Sequence, residues 1–110
     1  MSTTNQILRE DWIGYMDDFT SGNKGRKTSI ELYEDGKQML AHDLLFQSMV
    51  YDPVGKGDAL SIALKSESGA LSHVIDSPVQ INAVHNKQGE VISLEVTDSE
   101  EVLTLILFRV

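Results

Sequence analysis

The chain has no cysteine, which excludes disulfides and thiolate metal sites. It has no run of eighteen apolar residues, so no membrane-spanning helix is expected and no membrane partner. Its first residues, Met1 to Gln6, lack the basic start and apolar core of a signal peptide, so the expected location is cytoplasmic. Basic residues are few: 9 against 17 acidic ones, a net charge of −8. A field of that sign repels a phosphate backbone, so nucleic acid is not an expected partner. The one basic cluster, Lys24, Arg26 and Lys27, sits among Gly22 and Gly25 and reads as a solvated loop or an anion-binding one. None of the three histidines, His42, His73 and His85, lies at i, i+4 on a helix. No metal or cofactor is expected. No G-x-S-x-G elbow surrounds a serine, and Gly55-Lys56-Gly57 lacks the ending of a phosphate loop.

What is present describes a single domain, residues 1–110, of ordinary hydrophobic fraction. Its most apolar stretch is the last one, residues 101–110. With period two, Leu103, Leu105 and Leu107 fall on one face, and Val102, Ile106, Phe108 and Val110 on the other. A strand apolar on both faces needs cover on both sides, so this run is expected at the centre of a sheet.

A helix is predicted over 9–21, behind a flexible N-terminus of residues 1–8. Trp12, Tyr15, Met16 and Phe19 fall at i, i+3, i+4 and i+7, and Ile13 widens the stripe. Gly22 is the expected stop. Gly14 implies either a close approach by another element or a weak helix. A helix begun earlier by a capping box of Thr3 and Gln6 is the lesser alternative.

From residue 27 onward the period is two. Short alternating runs are separated by turn signals such as Asp35-Gly36 and by the breaks at Asp52-Pro53 and Ser77-Pro78. Residues 42–46 are less regular and are compatible with a bulge, a corner or one helical turn. The connections are too short for parallel crossovers. The expected fold is α+β: an N-terminal helix packed on a curled antiparallel meander of seven to eight strands over 27–110, forming a partial barrel or two layers.

Tyr51, Asp52, His73 and Asp76 lie near predicted strand ends and are the candidate ligand-binding residues. A tyrosine, a histidine and two aspartates can make an acid–base cluster. Each can equally do local work, since Asp before Pro begins turns and strand-end rings bond to backbone carbonyls. No catalytic residue is assigned. Asp98, Glu100 and Glu101 read as a solvated turn.

Several segments taken together carry a resemblance. They are Arg9-Glu10-Asp11-Trp12 through Phe19, Tyr51-Asp52-Pro53, residues 73–81 (His73-Val74-Ile75-Asp76-Ser77-Pro78-Val79-Gln80-Ile81) and Ser93-Leu94-Glu95-Val96-Thr97-Asp98. In this order and spacing the chain resembles a small bacterial family of unknown function, DUF5335, from Leu8 onward. The resemblance implies a stand-alone bacterial domain and assigns no activity, ligand or catalytic residue. The chain departs from the family pattern at Asp76 and Ser77, where a basic pair is common, and in ending at Val110. An anion site built on that basic pair is therefore not expected here.

The expected function is non-enzymatic: a module that self-associates into a homo-oligomer or binds a basic protein partner through open sheet edges and an acidic surface. The alternative is a small-molecule-binding β-barrel, or a small enzyme, with the Tyr/His/Asp cluster at its mouth.

Overall fold

The structure is a computed structural model and describes residues 2–110. Strand β1 (Thr3–Ile7) leads through a short 3-10 turn (Arg9–Asp11) into α1 (Trp12–Asn23). Seven strands follow: β2 (Lys27–Tyr33), β3 (Lys37–Asp52), β4 (Ala59–Ser66), β5 (Gly69–Asp76), β6 (Pro78–His85), β7 (Val91–Asp98) and β8 (Leu103–Phe108). All eight form one antiparallel sheet in the order β1-β6-β7-β8-β2-β3-β4-β5. The fold is α+β, with a curled sheet that does not close, because β1 and β5 each pair on one side only.

Strand β8 is central, as its apolar pattern predicts, with β7 and β2 as neighbours. Cover on both faces is not found. Thr104, Ile106 and Phe108 are buried on the inner face, where α1 packs. Leu103, Leu105 and Leu107 are half-buried on the outer face. Their shelter comes from cross-strand neighbours: Leu105 lies between Glu31 and Glu95, and Leu107 between Ser29 and Ser93. Glu31 and Ser93 are themselves buried there, and the Glu31 carboxylate is held by the Tyr33 hydroxyl, which donates to it at 2.9 Å, and by Lys37 Nζ at 3.2 Å.

The expectation of a flexible N-terminus over 1–8 is corrected for residues 3–7, and with it the capping box at Thr3, while Met1 lies outside the described residues. Residues Thr3–Ile7 form the edge strand β1, in unbroken register with β6 from Thr3↔His85 to Ile7↔Ile81. Its side chains are mostly exposed and polar, so no apolar alternation marks it. Backbone pairing holds it, with Trp12 Nε1 donating to the Ile7 carbonyl at 2.9 Å.

The irregular stretch 42–46 is a bulge. Strand β3 has sixteen residues and would be about 53 Å long if straight. The molecule's longest extent is 34 Å, so β3 must bend. It does so where Asp43 takes φ 51° and where the register slips between Phe46 and Ser48. Its first half pairs with β2 and its second half with β4. This bend carries β4 and β5 across the inner face and curls the sheet.

The helix covers the concave side with Trp12, Met16 and Phe19, all buried, while Ile13 is exposed and falls outside the stripe. Phe19 meets Phe46 and Phe108 at ring distances of 5.5 and 4.9 Å. Thr20 ties the helix to the bent strand: its hydroxyl accepts from Met49 N at 2.9 Å and donates to Met49 O at 3.1 Å. The helix runs past Gly22 to Asn23, and the left-handed glycine is Gly25, φ 87°. A Cβ on Gly14 would meet nothing within 4 Å, so no close approach explains that residue.

Candidate functional site

Strand β5 passes into β6 through one residue, Ser77, in the left-handed region at φ 50°. Ser77 N donates to Asp58 O at 2.8 Å, and Ser99 N donates to Ser77 O at 3.0 Å. These bonds bring the end of β5 against the β7–β8 turn. Beside this corner the curled sheet opens in a groove of about 300 Å³. Leu32, Ile75, Val102 and Thr104 contribute its less polar part, and Glu34, Asp76, Asp98 and Glu100 supply four carboxylates. No lysine or arginine lines it.

The carboxylates come from three turns whose backbone chemistry favours short polar residues. Asp98 Oδ1 accepts from the N–H groups of Glu100 and Val102 at 2.9 and 3.0 Å, closing the β7–β8 turn. Asp35, beside Glu34, and Glu101, beside Glu100, take positive φ in the same turns. The side chains of Glu34, Asp76 and Glu100 form no hydrogen bond or ion pair among the described residues. Their charge therefore has no cationic partner among the described residues. His73 is half-buried on the groove wall, and burial pushes its imidazole below the ordinary range, so it is neutral at neutral pH.

The opposite end of the sheet is basic. Arg26 precedes β2, Lys27 begins it, Arg109 follows β8 and pairs with Asp43 at 2.9 Å, and Lys65 is one ladder step beyond Leu45, the partner of Lys27. Arg26 is engaged: its guanidinium donates to Arg109 O at 3.0 Å and to Asn23 Oδ1 at 2.9 Å, and it lies 5.3 Å from the Phe108 ring. The loop is thus fixed by its own arginine.

Tyr51 belongs to a separate cluster on the concave side. Its hydroxyl donates to Asp58 Oδ1 at 2.6 Å and accepts from Arg9 Nη1 at 3.2 Å. Arg9 Nη2 donates to Pro78 O at 3.0 Å, and the guanidinium lies 4.4 Å from the Trp12 ring. Burial, and then the Asp58 carboxylate, push the Tyr51 phenol above its ordinary range. The ring packs edge-on against Trp12 at 5.0 Å. This clasp joins the helix entry to β3, the β3–β4 loop and β6, and each of its polar groups has a partner.

Of the four candidate residues, the groove brings together His73 and Asp76. Tyr51 lies in the Arg9 clasp and Asp52 is exposed at the end of β3, so no Tyr/His/Asp acid–base cluster is assembled. Sequence reasoning missed Arg9 and Asp58, and treated Asp98 and Glu100 as a plain solvated turn. The pairing of Arg9 with Tyr51 spans 42 positions, and no local signal marks it. No group of three or more metal-ligating side chains is found among the described residues. No described helix is long and apolar enough to cross a membrane.

A family model described as "Family of unknown function (DUF5335)" matches residues 3–110. No curated protein and no solved structure matches the chain.

Proposed function

We propose, for a chain that belongs to the DUF5335 family, a non-enzymatic and cytoplasmic role: it is an association module whose acidic groove receives a basic protein partner. The observation that carries this reading is the set of uncompensated carboxylates Glu34, Asp76 and Glu100 around one groove, with Asp98 beside them. Charges held close together without counter-charges repel one another, and a cationic partner relieves that repulsion. Tyr51 is engaged by Arg9 and Asp58 and does not line the groove with His73, which supports binding over acid–base catalysis.

The test is titration with a fluorescent lysine oligomer. Binding should weaken as salt rises, and the triple variant Glu34→Gln/Asp76→Asn/Glu100→Gln should bind about tenfold less tightly. A control that neutralises Asp17, Asp18 and Glu67 should bind nearly as well as the parent chain. Equal loss in both variants would reduce the effect to net charge and sink the reading.

Self-association is the second reading. It rests on the basic end of the sheet, which complements the acidic end of another copy, and on the two open edges. It predicts a concentration-dependent dimer in sedimentation that dissociates as salt is raised.

A further inference from the structure

The geometry points to strand addition at the free edge of β5: a partner docks there as an extended basic segment that becomes a ninth strand. This rests on the association reading above and names how the partner is held.

Five consecutive residues, His73 to Ser77, line the groove. Alternate residues of a strand face opposite sides of its sheet, so a groove touching all of them runs along the strand's edge, not over one face. That edge is open. Strand β5 pairs with β4 alone.

The register identifies the groups it offers. Ser66 pairs with Gly69 across a two-residue loop, which makes that pair the hydrogen-bonded closing pair of the hairpin. Bonded pairs then recur at every second position: Leu71 with Leu64, His73 with Ile62, Ile75 with Leu60. The bond from Ser77 N to Asp58 O continues the same series. The N–H and C=O groups of Ala70, Ser72, Val74 and Asp76 therefore point away from β4. No hydrogen bond among the described residues reaches them.

The usual protections of an edge are missing. The β4–β5 register has no bulge, and β5 contains no proline, lysine or arginine. The other edge, β1, is five residues long and does not border this groove. What selects the occupant is charge. A strand laid against β5 runs beside Asp76, with Asp98 and Glu100 on the facing wall. Lysine or arginine side chains on that strand meet these carboxylates, while its backbone satisfies the open groups of β5.

The test uses synthetic eight-residue peptides of alternating lysine and valine. The unmodified peptide should bind and should slow amide exchange at Ser72 and Val74. A version N-methylated at alternate residues keeps its charge and loses ladder donors, and should bind at least about tenfold less tightly. Proline at Ser72 or Val74 removes an outward N–H and no bond to β4. Ser72→Pro and Val74→Pro should each reproduce that loss, with circular dichroism establishing that the fold is kept. Ser72→Ala controls for the side chain and should bind as the parent does. If the proline variants and the methylated peptide bind as well as the parent pair while the triple carboxylate variant does not, strand addition is wrong and the association reading stands. If no basic peptide binds above the level of its glutamate counterpart, both fall. A dimer that Ser72→Pro dissociates would show that the edge belongs to a second copy, which overturns the basic partner as its occupant.

Discussion

The Tyr51 hydroxyl stands 2.6 Å from Asp58 Oδ1, a short bond from a buried phenol to a carboxylate seven positions away. Tyr51 begins as a candidate ligand residue and ends as the keystone of a structural clasp. Its hydroxyl also receives Arg9, which holds Pro78 O and lies over Trp12. Tyr51→Phe keeps the ring against Trp12 and removes both bonds. The expected cost is about 1–2 kcal/mol, below the full value for a buried charged pair because Asp58 can reach water. Urea unfolding measures it. Adding Asp58→Ala to Tyr51→Phe should cost less than the sum of the two single changes, since both remove the same bond.

Thr20 gives a second prediction. Its hydroxyl serves both the N–H and the C=O of Met49, just past the register slip in β3. Valine has the same shape but neither bond, so Thr20→Val leaves two backbone groups unserved beside the bulge. A loss of about 1–3 kcal/mol is expected. Faster amide exchange at Met49 than at Ile62, its neighbour in the β3–β4 ladder, would place the damage at the bulge.

The bend at this bulge also explains what the sequence could and could not convey. The centre of the sheet was legible because β8 carries an unusual share of apolar residues, and the helix because Trp12, Met16 and Phe19 keep a strict spacing. Edge strand β1 was not, because Thr3, Thr4, Asn5 and Gln6 show no alternation and the strand is held through its backbone by β6. The four candidate residues looked like one cluster because strand ends seem interchangeable along a chain. The bend in β3 and the corner at Ser77 decide which ends meet, and they send His73 and Asp76 to the groove and Tyr51 to the clasp. Long-range partners such as Arg9 and Tyr51 leave no periodic trace.

The groove carboxylates should also act on stability. Glu34, Asp76 and Glu100 have no cationic partner among the described residues. Neutralising any one should raise stability at low salt by a few tenths of a kcal/mol, about the size of other exposed charge effects. The gain should fade as sodium chloride approaches 1 M, where the screening length falls to about 3 Å. Asp98→Ala should behave in the opposite way, because its carboxylate holds the N–H groups of Glu100 and Val102. Thermal melts of the four variants at two salt concentrations separate repulsion from turn support.

His73 yields a pH dependence with a definite sign. Burial lowers its pKa, so the folded chain takes up the His73 proton at a lower pH than the unfolded chain does. An unfolded histidine protonates near pH ~6.5. Between that value and the folded pKa the unfolded state binds more protons, and stability rises with pH across this window. On acidification the loss from His73 begins as pH falls below ~6.5 and is complete once pH has passed the folded pKa. Histidine-selective NMR should give His73 a midpoint below that of an unfolded histidine. In urea unfolding, the parent chain should lose stability relative to His73→Gln as the pH is lowered from 8 to 5, because glutamine takes up no proton. A difference that stays flat over that range would mean that His73 titrates alike in both states, with its ring hydrated at the groove mouth. A bound basic peptide adds positive charge beside the ring and should move the midpoint lower still. The same titration therefore also reports whether the groove is occupied.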